Sequence, residues 1–167
     1  KILDGKDLME LIETVTASTT QRVCEEFCYG DADEWDLEGL EKWLTELTGK
    51  TDLPEFTEDT KFEQLEEDVT AFVQKTFDEK TQKLGEEVMR ELAAQVMLRV
   101  IDTRWMAYLQ EMDYLKTGIG LRGFGQRDPL VEYKTEAYEA FTLLVNTMYE
   151  DFLRTILRIE LARSPEP

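Results

Sequence analysis

The chain has 167 residues, enough for one domain of ordinary size or for two small ones. Hydrophobic residues make up 42% and aromatic residues 10% of the chain, so it can bury a core and is not a disordered segment. Its 37 acidic and 19 basic side chains give a net charge of −18, which repels phosphate and argues against nucleic-acid binding.

The first predicted element is an amphipathic helix of about 25 residues, because apolar side chains recur at steps of three and four residues. Gly30 follows this helix and can adopt the left-handed conformation that commonly caps a helix end. The apolar positions of the helix are Leu8, Leu11, Ile12, Val15, Val23 and Phe27.

The middle of the chain, residues 31–91, is strongly acidic, with 20 acidic and 7 basic side chains. Asp36 is the predicted N-cap of a short helix that ends near Gly49. Pro54 interrupts the helical pattern, and the residues Thr60-Lys61-Phe62-Glu63 have the form of a capping box that opens a further helix. This part of the chain is therefore predicted to be a small, acidic, helical insert.

Beyond Gly85 a broad apolar stripe predicts a long helix that ends near Gly118. A last helix is predicted from an Asp128 N-cap, with Pro129 at its first position, to about Leu161. Two helices of similar length joined by a short loop predict an antiparallel hairpin. The predicted fold class is all-α: a long hairpin packs on the end of the first helix, and a small helical subdomain is inserted between them. The residues of the long helix's stripe are Val88, Met89, Leu92, Val96, Met97, Val100, Ile101, Trp105, Leu109, Met112 and Leu115.

The segment from Gly118 to Pro129 has four glycines in twelve positions and is predicted to be a loop. Its apolar residues Ile119, Leu121 and Phe124 are expected to be exposed at the tip of the hairpin. Residues 99–134 hold six basic and five acidic side chains, so this region departs from the acidity of the chain. Apolar residues beside arginines suit contact with another macromolecule, and we interpret the loop as an interaction tip, with a plain solvent loop as the alternative.

Several kinds of catalytic site are excluded by composition. The chain has no histidine, which removes His-based nucleophile systems and His-ligated metals. Cys24 and Cys28 share a helix face but lack further soft ligands, so a structural role is favoured. The carboxylates are interpreted as a solvated face, because no spacing singles out an acid–base pair. The glycines of residues 118–125 lack the preceding strand and the Gly-Lys-Ser/Thr sequence of a phosphate loop. The chain is therefore predicted not to be an enzyme by itself.

Three tryptophans are predicted to anchor the core: Trp35, Trp43 and Trp105.

Targeting signals are also missing from the sequence. No apolar run approaches the roughly 20 residues that span a bilayer, and no signal peptide is recognisable. The chain starts at Lys1 in helix-like sequence and has only two cysteines. We therefore expect a soluble, reduced, intracellular piece of a longer protein.

Residues 100–134 read VIDTRWMAYLQEMDYLKTGIGLRGFGQRDPLVEYK. This stretch resembles SecA, the ATP-driven motor of bacterial preprotein export, whose pattern is Ile-Asp-x-x-Trp-x-x-His-Leu, Met-Asp-x-Leu-Arg-x-Gly-Ile, Leu-Arg-x-Tyr-x-Gln-x-(Asp/Asn)-Pro and Glu-Tyr. Glu34-Trp-Asp-Leu-Glu-Gly-Leu40 is similar to the opening of that family's helical wing domain. The chain departs from the pattern at Tyr108, Lys116 and Phe124, where the family usually has His, Arg and Tyr. Phe keeps the ring but drops the hydroxyl, which preserves ring contact and removes a phenolic hydrogen bond.

The resemblance implies a division of the chain. Residues 1–28 would be the end of a long scaffold helix, residues 29–85 the helical wing domain, residues 86–161 the two-helix finger of the scaffold, and residues 162–167 a frayed tail. The finger-tip contacts to channel and substrate would be made by Ile119, Leu121, Arg122, Phe124, Gln126 and Arg127. Structural positions of the finger would be Asp102, Trp105, Leu109, Met112, Asp113, Asp128, Pro129 and Tyr133.

The resemblance also implies a function and partners. The hairpin would contact the Sec channel at the plasma membrane and the preprotein, and would regulate ATP turnover by packing on the other SecA domains. ATP and Mg²⁺ would belong to the parent protein and no cofactor to this fragment, which lacks the Walker A loop, the DEAD-type box and the Cys/His zinc segment. The expected location is cytoplasmic, peripherally associated with the bacterial plasma membrane. The alternative is a stand-alone helical adaptor whose hairpin docks on a partner helix.

Overall fold

The computed structural model describes residues 5–57, 59–122 and 128–159; of residues 119–122 and 129 it describes the backbone alone. This part of the chain has no strand, which confirms the all-α prediction. Its helices are α1 (Gly5–Phe27), α2 (Leu37–Thr48), α3 (Phe62–Leu84), α4 (Glu86–Arg122) and α5 (Pro129–Arg158), with a short 3-10 helix at Ala32–Glu34 before α2.

The turn after α1 uses its glycine differently from the prediction. Gly30 has a positive φ of 81°, but it comes three residues after Phe27, the last residue of α1. It therefore shapes the turn and does not cap the helix. The Gly30 carbonyl oxygen accepts a hydrogen bond of 3.2 Å from Trp35 Nε1, which holds the chain at the entrance to α2.

Helix α2 begins and ends where its sequence predicts. The Asp36 side chain accepts a hydrogen bond of 2.9 Å from the Gly39 backbone N–H, which confirms Asp36 as the N-cap. The helix stops at Gly49, whose φ of 73° lies in the left-handed region. Its apolar side Leu40, Leu44 and Leu47 is fully buried.

The predicted capping box at the start of α3 is wrong. The N-cap is Lys61, which has no side-chain capping bond, and Thr60 lies one residue outside the helix. The Thr60 hydroxyl accepts a hydrogen bond of 3.2 Å from the Thr57 backbone N–H instead. The Thr60 hydroxyl is therefore bonded within the loop and does not cap the helix, which starts at Phe62.

Gly85 separates α3 from α4 as the only residue between them. Its φ of 93° and ψ of 146° lie in a region that side chains of L-amino acids rarely adopt. Its N–H bonds the Thr81 carbonyl oxygen at 2.7 Å, and its own carbonyl oxygen accepts from Met89 at 2.9 Å. Gly85 thus caps the end of α3, and its carbonyl oxygen accepts a backbone hydrogen bond from the first turn of α4.

Helix α4 is longer and the connecting loop shorter than predicted. The helix continues through Gly118 and Gly120 to Arg122. Each glycine costs about 1 kcal/mol relative to alanine, yet isolated glycines do not stop a helix whose neighbours each add a backbone hydrogen bond. At the other end of the hairpin, α5 ends at Arg158 and not near Leu161. The predicted frayed tail, residues 162–167, lies outside the described residues.

Helices α4 and α5 pack against each other in antiparallel orientation. Arg104 contacts Asp151, whereas Tyr108, further along α4, contacts Phe141, further back on α5. Residue numbers therefore rise along one helix as they fall along the other. At its start, α5 has the predicted cap, since the Asp128 side chain accepts a hydrogen bond of 3.0 Å from the Leu130 N–H and Pro129 occupies the first turn.

One buried apolar cluster draws on all five helices. Helix α1 contacts each of the other four, which confirms that the first helix packs on the hairpin. Helix α2 packs mainly against α5 and α1, and α3 packs mainly against α1, where the hydroxyls of Thr20 and Thr70 lie 2.6 Å apart. The largest fully buried side chains are Phe77, Phe152, Ile12, Leu40, Leu44, Leu47, Leu65, Met89, Leu153, Ile156 and Leu157.

Candidate functional site

The α4–α5 hairpin, the predicted interaction site, is anchored at its base. The base comprises the first part of α4, as far as Val100, and the last part of α5, from Leu144 onward. Burial of these apolar side chains in the shared core fixes where the hairpin leaves the body of the protein. The buried residues of the base are Met89, Ala93, Val96, Val100, Leu144, Phe152, Leu153, Ile156 and Leu157.

A polar pair marks the neck, where the hairpin emerges from the core. The Arg104 Nε atom donates to Asp151 Oδ2 at 2.6 Å, and the carboxylate is three-quarters covered. Charge-assisted bonds of this length are among the stronger polar contacts in proteins. The pair fixes the register of α4 against α5 where the hairpin leaves the buried core.

The distal half of the hairpin, residues 101–122 and 128–143, projects beyond that neck. Among the described residues of this half, none is buried. At a rise of 1.5 Å per residue, α4 extends roughly 33 Å from Val100 to Arg122. The structure thus places the end of α4, at Arg122, far from the core.

The apolar stripe of α4 is therefore buried along only part of its length. Val96 and Val100 lie in the core, whereas Trp105 is 43% exposed and Leu109 is similarly exposed. The prediction that Trp105 anchors the core is wrong, because a large part of its side chain faces solvent. Trp43 is buried as predicted, and Trp35 is half-buried against Phe62, with the ring centroids 6.2 Å apart.

Three aromatic rings hold the exposed part of the hairpin together. Trp105 stacks on Tyr108 with ring centroids 5.2 Å apart, and Tyr108 meets Phe141 edge-to-face at 6.2 Å. Pairs in these geometries attract one another beyond the area they bury. The rings join α4 to α5 and leave an apolar flank facing solvent. The exposed apolar residues of the distal half are Ile101, Trp105, Met106, Leu109, Tyr114, Leu130, Val131, Tyr138, Phe141 and Leu143.

A groove that the sequence did not indicate runs along the distal hairpin. It has a volume of about 420 Å³, an apolar floor of Leu115 and Leu143, and carboxylates at Glu111, Glu136 and Glu139. These residues come from two helices and lie about 20 to 30 positions apart in the sequence. The spacing of residues within one helix does not predict such a groove, because its two sides belong to α4 and α5 and meet only in the observed register of these helices.

The other predicted structural positions lie along the distal hairpin. Asp102 and Asp113 are exposed, and Met112 and Tyr133 are half-buried. The Asp113 carbonyl oxygen accepts a hydrogen bond of 3.1 Å from the Thr117 hydroxyl.

The predicted tip lies where the structure describes little. Ile119, Leu121 and Arg122 belong to the last turn of α4, and nothing is described of their side chains. Phe124, Gln126 and Arg127 lie outside the described residues. Their roles remain predictions from the resemblance.

The two cysteines lie in the body, away from the hairpin tip. Both are buried and unpaired, and burial raises the pKa of the Cys24 thiol to about 12. Burial raises the Cys28 pKa as well. The thiols are therefore protonated at neutral pH and poor as nucleophiles or metal ligands. Within residues 5–57, 59–122 and 128–159, no cluster of three metal-ligating side chains occurs.

Comparison with known proteins points to one family. The family model described as the SecA wing and scaffold domain matches residues 1–160. The chain is 36% identical to the protein translocase subunit SecA of Syntrophomonas wolfei, over 99% of the chain and 20% of that protein. It is also 36% identical to the SecA subunits of Halothermothrix orenii (96% of the chain, 19% of that protein) and Cutibacterium acnes (99% and 18%). The chain thus spans about one-fifth of the length of these relatives. None of the described helices has a stretch long and apolar enough to span a membrane.

Proposed function

The chain belongs to the SecA family, as a wing and scaffold region, and we propose that it is the finger-bearing part of a motor for protein export. In this proposal α1 is the end of the scaffold helix, residues 29–85 are the wing, and residues 86–161 return to the scaffold and form the two-helix finger. The finger contacts the Sec channel and the preprotein in transit.

The projecting distal hairpin is the observation that carries this proposal. A two-helix element that leaves the core at Val100 and extends roughly 33 Å can enter a channel mouth while its base stays fixed. Its exposed apolar flank suits contact with unfolded chains. Residues 99–134 are also close to neutral in a chain of net charge −18, which limits repulsion from an acidic substrate.

The proposed mechanism places the grip at the tip. Movements driven by nucleotide in domains outside this chain shift the hairpin, and Ile119, Leu121 and Phe124 hold the extended preprotein by apolar contact. Such contact tolerates many sequences because a ring needs no matching hydrogen bond. Arg122, Gln126 and Arg127 flank the contact. One exposed ring on a short loop also releases its substrate readily, unlike a deep pocket.

Nucleotide chemistry belongs, in this proposal, to domains outside this chain. Gly118 and Gly120 lie within helix α4, so they do not form a loop that cradles phosphate. The described residues also provide no cluster of carboxylates that fits Mg²⁺. In this proposal the hairpin acts on ATP turnover by packing against the motor domains, and the chain is no enzyme by itself.

The proposed location is the cytoplasmic face of the bacterial plasma membrane, with peripheral association through the channel. The acidic body is not a nucleic-acid binder, since its charge repels phosphate. A stand-alone adaptor is the other function that the sequence allows, and the presence or absence of motor domains before this region in the native gene distinguishes the two.

The experiment is Phe124→Gly in the full-length protein, with preprotein transport into channel-containing vesicles measured beside ATP turnover. We expect transport to fall at least about tenfold while ATP turnover persists, since burying one aromatic ring against the preprotein contributes about 1.5–3 kcal/mol. The control is Tyr29→Gly, which removes an exposed ring from the turn after α1 and leaves the sequence of the hairpin unchanged. Transport that is equal in the two variants would overturn the tip assignment and leave the hairpin as scaffold and regulator only.

A further inference from the structure

A single carboxylate on α5 joins three helices. The Glu150 Oε1 atom accepts hydrogen bonds of 3.2 Å from Arg22 Nη2 on α1 and of 3.2 Å from Trp43 Nε1 on α2. Its Oε2 atom accepts from Arg154 Nη2, one turn further along α5, at 3.5 Å. Arg22 also bonds Glu26 within α1, so the cluster is tied to two turns of that helix.

These contacts are more constrained than ordinary surface ion pairs. The side chains of Glu150 and Arg22 are only about one-quarter exposed, at 25% and 27%. The indole of Trp43 has one N–H donor and belongs to a residue that is 8% exposed, so losing the acceptor would leave that donor poorly compensated. The cluster therefore favours one arrangement of α1, α2 and α5.

A second contact holds the other end of α2 to the same helix. Arg158 Nη1 donates to the Glu46 carbonyl oxygen at 3.2 Å. Glu46 lies in the last turn of α2, where carbonyl groups lack partners within the helix and attract a cation. Helix α2 is thus held on α5 at two points, one beside Glu150 and one at Arg158, about 12 Å apart along α5.

Both attachments lie on the base of the hairpin and not on its distal half. Glu150 and Arg158 lie on the half of α5 that begins at Leu144 and supplies the buried residues of this helix. The distal half, whose described residues are not buried, ends at Leu143. Within the predicted insert, α2 packs mainly on α5 and α1 and not on α3. The helix that the sequence assigns to the wing is therefore attached to the base of the predicted finger.

We propose that Glu150 is the positioning residue of a joint that locks α2 to α1 and to the base of the hairpin. A movement of α5 at its base then carries α2 with it, while the distal half remains free of this constraint. The inference goes beyond the proposed function and does not depend on it, because the joint is a property of the fold whatever the tip contacts.

Amide hydrogen exchange in the 167-residue chain tests the joint. Glu150→Gln removes the charge that Arg22 and Arg154 contact, and Trp43→Phe removes the indole donor while keeping an aromatic ring. We expect exchange in α2 to speed up by about five- to tenfold in each variant, with α3 little changed. The matched control is Glu139→Gln, an exposed glutamate on the distal part of α5, which should leave α2 unchanged.

The double variant supplies a sharper criterion. If the two residues act through one joint, combining Trp43→Phe with Glu150→Gln speeds exchange in α2 less than the product of the single effects. Multiplicative effects, or α2 exchange within twofold of the Glu139→Gln control, would overturn the proposal. An equal increase in α2 and α3 would overturn it too, since it would show general loss of stability.

A third variant covers the case in which Glu150→Gln does not fold. Arg158→Gln removes an exposed side chain and leaves the Glu150 cluster in place. We expect it to speed exchange only in the last turn of α2, where Glu46 loses its cationic partner. Unchanged exchange in that turn would contradict the second attachment and, with it, the two-point joint.

Discussion

Gly85 is the residue whose backbone conformation most constrains the fold. Its φ of 93° suits glycine alone, and the chain passes there from α3 to α4 without any other linker. We predict that Gly85→Ala lowers the free energy of unfolding by about 1–3 kcal/mol, because alanine must be strained there or the helices must realign. Urea unfolding followed by circular dichroism measures this loss.

A second glycine provides the matched control for that experiment. Gly118 lies within α4, and a Cβ added there meets no atom within 4 Å. Gly118→Ala should therefore raise stability or leave it unchanged, by up to about 1 kcal/mol, because alanine is the better helix former. Equal losses in the two variants would contradict the assigned role of Gly85.

Cys24 makes stability depend on pH in the alkaline range. Burial raises the pKa of its thiol from 9.0 to about 12, so between those values the folded chain keeps a proton that the unfolded chain releases. Stability is then highest below pH 9 and falls as the pH rises toward 12. We predict that the free energy of unfolding of Cys24→Ala falls less steeply than that of the parent chain between pH 8 and 10.5. Parallel profiles, measured by urea unfolding, would show that the thiol does not contribute.

Helix caps show how far single residues could be predicted. Asp36 and Asp128 were recognisable because a cap depends on neighbours within three positions, and both bonds are present. Thr60 has the same local signature but bonds Thr57, so the helix starts one residue later. The Glu150 junction was not predictable, because its partners lie 107 and 128 residues away along the chain.

At the scale of elements, the hairpin is one structure with two kinds of surface. Phe152, on the base, is 0% exposed, whereas Phe141, on the distal half of the same helix, is 47% exposed. We predict that Phe152→Ala costs about 3–5 kcal/mol of unfolding free energy, because it leaves a cavity in the core. Phe141→Ala should cost under about 1 kcal/mol.

Chemical denaturation of the two Phe variants tests this division of the hairpin. The pair is matched, since both substitutions remove the same ring from α5 and replace it with the same good helix former. Similar losses in both would mean that the distal half is covered as fully as the base, which would contradict the projecting hairpin.

Periodicity predicted the helices but not what covers them. Val96, Val100 and Trp105 follow one apolar stripe along α4, yet the core ends between the last two. A stripe shows which face of a helix is apolar, whereas its burial depends on where the neighbouring helices stop. Val100 is buried and Trp105 is 43% exposed, and no local pattern in the sequence contains that difference.

At the scale of the whole molecule, charge and shape divide the chain in the same way. The acidic residues 31–91 supply a net charge of −13, and much of that segment packs on α1 and α5 around the hairpin base. Residues 99–134, which make up most of the distal hairpin, hold six basic and five acidic side chains and are much less acidic than that body. A hairpin that lies apart from the acidic residues and is less acidic than they are can contact a partner without bringing the acidic surface close to that partner.

Sequence similarity gives this architecture its context. The family match spans residues 1–160, and the chain corresponds to about one-fifth of its relatives. The shared core holds the hairpin at its base and leaves its distal half exposed. In the proposed function, the tip of this hairpin touches the protein in transit.

The most direct measurement is site-specific photo-crosslinking in the full-length protein engaged with a channel and a stalled preprotein. A photoreactive phenylalanine at position 124 is compared with the same residue at position 29, an exposed site at the end of α1. We predict strong crosslinks to the preprotein from position 124 and none from position 29. No crosslink from position 124, or equal crosslinks from both positions, would contradict the assignment of the hairpin tip as the substrate contact.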